Sequence, residues 1–311
     1  MLMSSVCVTL VPMKTAHKPS ITLWAYIALS LAWGSSFLFI KVGLDGLSPN
    51  QVVLGRIVLG GLTLAAIMVV TKRRWPRDLR LWGHLTVVGL LYCVIPFTLY
   101  AWAEQFISSG LASIYNATTP IMTLLLTPLV LSSQRLGRFQ VVGLLIGIVG
   151  VTVLVAPWQF IGNPQGGLAA NLACLAAPIC YGFAGLYMRR FVTGLPYDTV
   201  TIAAVQLATA SAVVLLLSPF TAMTPVTLSP VIVLCMVALG AIGTGLAYTW
   251  NTRIIREWGP ARASTVTYLT PVIGVFLGVL LLGETLHWYE PLGGVIIVLG
   301  ILASQRTPKV S

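Results

Sequence analysis

From Ile21 to Ser304 the chain is a succession of apolar stretches, each close to twenty residues long, parted by short polar or basic links. A helix rises about 1.5 Å per residue, so about 20 apolar residues cross a hydrocarbon layer ~30 Å thick. On that measure the spans are residues 21–42, 51–71, 81–104, 108–131, 138–156, 167–190, 197–218, 229–252, 260–282 and 288–304. Runs such as Val141 to Ala156 and Val272 to Leu282 lack the alternation that a membrane β-strand needs. The pattern predicts an all-α integral membrane protein of ten transmembrane helices.

Composition narrows the class further. Of 311 residues, 57% are hydrophobic and 8% charged, where soluble domains carry roughly 25% charged residues. Too few charges remain to coat a water-facing surface, which excludes a soluble enzyme, a disordered regulator and a secreted disulfide scaffold. The net charge of +11 does not point to nucleic acid, because the basic residues sit in short clusters between spans. With both ends in the cytoplasm, 16 of the 18 Lys and Arg residues fall on the inner side, leaving only Lys41 and Arg56. Asp45, Glu104, Glu284 and Glu290 fall outside. Cytoplasmic loops retain Lys and Arg, so this alternation supports ten spans with N-in and C-in ends and an inner-membrane, multi-pass location. Cys93, Cys174, Cys180 and Cys235 lie inside apolar runs without a CxxC or nearby His, so neither disulfide, metal nor cofactor is expected. Residues 1–20 read as a cytoplasmic tail and 305–311 as another. Met13 begins an ordinary cytoplasmic start, MKTAHKPS, which leaves residues 1–12 as a start-site extension or a disordered tail.

The chain repeats itself. A shift of 151 residues lays Ala112–Ser113 on Ala263–Ser264, Thr119–Pro120 on Thr270–Pro271 and Gly143 on Gly294. A slightly smaller shift lays Trp33–Gly34 on Tyr181–Gly182 and Lys41 on Arg189. Residues 21–156 and 167–304 are thus two copies of a five-helix unit. Five is odd, so the second copy enters the membrane from the opposite face. Inverted repeats of this kind characterise secondary transporters and place a solute site where the copies meet.

WGSSF in the first span, Arg56 early in the second, the twice-used AS followed by Pro seven residues after its Ser, and the LGETL box of Leu282 to Leu286 form an ordered set. With them the chain resembles the EamA-like family of the drug/metabolite transporter superfamily, across residues 21–304. The resemblance implies a ten-helix exporter of amino acids or related metabolites with cytoplasmic ends. One departure stands out: the family's Glu at the end of the fourth helix is Ser133 here, while the second copy keeps Glu284.

Polar groups in hydrocarbon are costly unless they face protein or a watery cavity. Ser113, Asn116 and Pro120 share one face of span four, and Ser264, Thr267 and Pro271 repeat it in span nine. Span three carries Tyr92, Pro96 and Tyr100 on one stripe, span eight Thr244, Tyr248 and Asn251, span one Trp33, Ser35 and Ser36, and span six Tyr181. These are the candidate substrate-lining residues, with Pro96, Pro120 and Pro271 as hinges. The alternative is plain interhelical packing for the hydroxyls. Trp82, Trp102, Trp158, Trp258 and Trp288, near span ends, read as the headgroup belt. Arg56 has three open readings: contact with a substrate carboxylate, pairing with Asp45 or Glu104, or snorkelling to the outer surface. Glu104 is a candidate coupling charge. The glycines of spans five and ten suit close packing within one chain, with a homodimer seam as the alternative. An intramembrane enzyme would need a nucleophile–base pair or metal ligands at one depth, and the spans offer neither. Remaining alternatives are drug efflux, metabolite import, or a lipid-transport or scaffold protein without a solute cycle.

Overall fold

The computed structural model describes residues 19–131, 136–160, 167–259, 263 and 265–305. The N-terminal tail through Lys18, Ser133, Arg135, Arg262, Ser264 and the C-terminal tail from Arg306 lie outside that set. Among the described residues there is no strand. In chain order the helices are α1 (Pro19–Gly34), α2 (Ser36–Gly43), α3 (Pro49–Val70), α4 (Leu79–Gly89), α5 (Ile95–Ala103), α6 (Ser109–Asn116) and α7 (Thr119–Val130). They continue with α8 (Arg138–Val155), α9 (Gly167–Phe191), α10 (Thr199–Thr221), α11 (Pro230–Val237), α12 (Ala247–Trp258), α13 (Val266–Leu282) and α14 (Tyr289–Ser304). Among the described residues, seven helical stretches are long and apolar enough to cross a membrane, and α13 and α14 are shorter apolar helices. Leu, Val and Phe side chains such as Leu129, Leu216 and Phe220 stand exposed on the outside of the bundle. That is the surface of a multi-pass membrane protein, whose solvent around its girth is lipid.

The expected continuous helices are interrupted where polar residues gather. The first breaks at Ser35, whose hydroxyl bonds back to the Leu31 carbonyl at 2.7 Å. The fourth breaks at Ala117–Thr118, directly before Pro120, which then occupies the first turn of α7 where its missing N–H costs nothing. Between α4 and α5, residues Leu90–Val94 form a π-helical turn, and Ala238–Leu246 do the same between α11 and α12. Such wide turns are found frequently at functional sites. Pro96 follows the first wide turn, whereas α13 runs through Pro271 unbroken.

Packing interleaves the two halves of the chain. One apolar cluster joins Ile40, Ile57, Leu64 and Phe97 to Leu207, Ala210, Ile232 and Leu239; another joins Tyr100, Leu111 and Ile121 to Ala173, Cys174 and Ile297. Helices equivalent under the sequence repeat pack on each other, α3 against α10 and α8 against α14. In the second pair glycine is obligatory: a Cβ at Gly300 would fall 2.7 Å from both the Gly143 carbonyl and the Gly147 nitrogen. The glycines of spans five and ten thus face each other inside the chain.

Candidate functional site

The interruptions and wide turns converge on one cavity of ≈ 130 Å³, halfway along the helices that line it. Its wall includes Trp33, Ser36, Arg56, Tyr92, Tyr100, Asn116, Tyr181, Tyr248 and Thr267, all singled out in the sequence. Thr244, also singled out in the sequence, belongs to it, and Phe37, Phe97, Thr119, Gly243 and Thr270 complete it. Ser35, Asn251 and Glu104 are not in the wall, nor are the expected hinges Pro96, Pro120 and Pro271. Ser113 faces away: its hydroxyl donates to the Gly110 carbonyl at 2.6 Å, and its side chain fills the space above Gly274 of α13. A second cavity, ≈ 310 Å³, lies near Asn171, His287 and Glu290 and contains none of the predicted residues.

Aromatic rings make most of the central wall. Tyr92 and Tyr181 lie 5.1 Å apart between centroids, Tyr100 and Tyr181 6.5 Å, and Phe37 meets Tyr100 edge-on at 5.3 Å. Polar groups are few and held. The Tyr100 hydroxyl donates to Asn116 Oδ1 at 3.4 Å, beside the break that ends α6. Gln206 Nε2 donates to the Tyr248 hydroxyl at 3.3 Å and to Cys93 Sγ at 3.4 Å, tying α10 to both wide turns.

Among the described residues, Arg56 is the one charged group in this wall. It is 8% exposed, so it does not snorkel to the surface. Its Nε donates to Thr244 Oγ1 at 3.1 Å, and its guanidinium carbon sits 3.6 Å from the Phe97 ring centroid. Thr244 can be there because it lies against Gly60, one turn along α3 from Arg56, where a Cβ would come within 2.8 Å of the Thr244 methyl. The Thr244 hydroxyl in turn donates at 3.0 Å to Leu239 O, within the second wide turn. Among the described residues the ion pairs join Arg73 to Asp198 and Arg253 and Arg256 to Glu257, and no carboxylate pairs with Arg56.

Beyond Tyr100 lies a layer of charge. Glu104 is fully buried, and neither carboxylate oxygen has a hydrogen-bond partner. Lys41 of α2 donates to the backbone carbonyl of Glu104 and, at 2.8 Å, to that of Ile107. Glu284 reaches from the end of α13 to the start of α6, accepting from Ser109 N at 2.6 Å, Ser109 Oγ at 3.0 Å and Gly110 N at 3.0 Å. A carboxylate suits a helix N-terminus, where N–H groups lack intrahelical partners. The LGETL box marked this glutamate in the sequence; its partner 175 residues away left no local signal.

An apolar multi-pass bundle with an aromatic, singly charged cavity at mid-depth has the architecture of a small-solute membrane carrier. The chain belongs to the EamA-like transporter family, which matches it twice, over residues 20–156 and 168–304. It is 29% identical over 281 residues to an uncharacterized inner membrane transporter, YedA, of Escherichia coli (strain K12), covering 89% of this chain and 88% of that one. It is 26% identical over 298 residues to a probable amino-acid metabolite efflux pump of Salmonella typhimurium, covering 90% of this chain and 95% of the relative. A crystal structure of a protein 23% identical in sequence superposes with a TM-score of 0.63, covering 92% of this chain and 96% of the other.

Proposed function

We propose that this transporter is a secondary carrier of the inner membrane that exports amino acids or related small metabolites by alternating access through the central cavity. The reading takes the ten spans as two inverted five-helix repeats with both termini in the cytoplasm. The observation that carries it is the cavity itself, whose wall is drawn from both copies of the repeat at mid-helix depth. The amino-acid class leans on the efflux pump named among its relatives. Because α3 pairs with α10 and α8 with α14, the moving bodies are mixed bundles, each with helices from both halves, instead of the halves themselves. Glu104 is the coupling candidate, one helical turn beyond Tyr100 and buried without a hydrogen-bond partner. The test is release of solute from preloaded proteoliposomes across a panel of amino acids, with and without a proton gradient. Export of at least one class, driven faster by the gradient in the native chain than in Glu104→Gln, is expected. If no amino acid or related acid moves, the assignment falls.

A further inference from the structure

We infer that the cavity selects its solute by a carboxylate bound at Arg56, and that a free amino group on the solute is dispensable. The substrate class is a small organic monoanion bearing an apolar or aromatic group. Amino acids qualify, and so do their N-acylated and deaminated counterparts.

A guanidinium that is 8% exposed, inside an apolar bundle, with no carboxylate partner among the described residues, is an unfinished ion pair. Buried charges persist where something pairs with them. One face of the Arg56 guanidinium is taken by Phe97, and its Nε by Thr244. Among the described residues the Nη groups make no hydrogen bond, and a planar fork of N–H groups matches a carboxylate. Charge count limits the ligand to one negative charge, since among the described residues no second cation lines the cavity. No carboxylate lines it either, so an ammonium would meet only aromatic faces and neutral oxygens, which hold it weakly and do not require it. Size and lining set the rest: ≈ 130 Å³ walled by Trp33, Phe37 and tyrosines is near the ~150 Å³ apolar cavity known to hold benzene. A phenyl or branched alkyl group fits there, whereas inorganic anions would leave the rings bare.

This deepens the transport reading and rests on it for the site's use, but binding is measurable apart from flux. Purified protein in detergent is titrated with matched sets carrying a phenyl or an isopropyl group: the amino acid, its N-acetyl acid, the deaminated acid and the amino-acid amide, with inorganic phosphate as the non-organic probe. Ligand-induced thermal shift and calorimetry report binding, and the same compounds are then followed in proteoliposomes. The three acids in each set are expected to bind within about tenfold of one another, and the amide and phosphate roughly 10–100-fold more weakly, the range for losing a hydrogen bond to a charged group. Arg56→Gln should abolish the difference between acid and amide. Should that variant not run as a single species on gel filtration, Thr244→Val, which frees the guanidinium from its hydroxyl, is to weaken acids several-fold and leave the amide unchanged. Equal binding of acid and amide, a strict need for the amino group, or equal binding of phosphate each overturns the inference. Acids that bind with this selectivity but never cross the bilayer leave the inference standing and sink the transport reading.

Discussion

At the scale of single residues, the wall of the cavity depends on a few hydroxyls and amides whose partners are fixed by the backbone breaks. Asn116 ends α6 and accepts from Tyr100; Tyr248 follows the second wide turn and accepts from Gln206. Truncating either removes a cavity group and strands its donor, at a cost of roughly 1–3 kcal/mol per group. Asn116→Ala and Tyr248→Ala should therefore lower flux on the order of tenfold while membrane insertion and yield stay normal; native flux in both would mean that the solute passes elsewhere. The residue types of the wall were legible in the sequence because tyrosine, asparagine and arginine are conspicuous within apolar runs. Their neighbours were not. Thr244 meets Arg56 across 188 residues, and Phe37, Phe97 and Thr270 look like ordinary lipid- or core-facing positions until the helices are assembled. Ser113 shows the converse: its spacing from Asn116 suggests a shared face, yet close packing on Gly274 takes it out of the wall.

At the scale of elements, glycine contacts and helix caps decide how the bundle closes. A valine at Gly300 would drive its Cβ into the α8 backbone at 2.7 Å, and overpacking of this kind costs about 1–3 kcal/mol. Gly300→Val is expected to lower the thermal midpoint in detergent and cut yield, whereas Gly83→Val, where a Cβ meets nothing within 4 Å, should change neither. Glu284 caps α6 with three bonds. Losing a cap costs about 0.5–2 kcal/mol, so Glu284→Ala should reduce stability by that order, measured as a shift in unfolding by denaturant or heat. An unchanged midpoint would show that Ser108, whose hydroxyl accepts from Leu111 N at 3.1 Å, suffices alone. Hydropathy located the helices well but could not foresee their breaks. The apolar content at Ser35 and Ala117 does not fall, and what interrupts the helix is local hydrogen bonding and proline sterics, to which an average over twenty residues is blind.

At the scale of the whole molecule, the proposed alternating access requires closure and opening to be reciprocal at the two ends of the cavity. Spans four and nine touch between α6 and α13, where a Cβ at Gly110 would lie 3.3 Å from Val275 Cα. A disulfide joining cysteines placed at these two positions, in a background with the native cysteines replaced, should stop transport when oxidised and release it on reduction. Flux that persists in the cross-linked protein would contradict a gate at that contact. Cysteine labelling of residues 14 and 309 offers the matching test of topology: both should react only with a membrane-permeant reagent. The repeat itself was readable as a shift of 151 residues. The interleaving was not, because a repeat in sequence says which helices are alike and is silent about which of them touch.

That interleaving bears on how the protein is made. When the first half leaves the ribosome and enters the bilayer, α3 and α8 present glycine-lined grooves to lipid, and Arg56 still lacks the threonine that will hold it. Their partners, α10 and α14, emerge only after more than a hundred further residues have been synthesised. The early helices cannot complete this packing until those counterparts dock. Cutting the gene between codons 160 and 167 should therefore give two fragments that are each degraded when expressed alone and recover together when co-expressed, with the late helices templating the early ones.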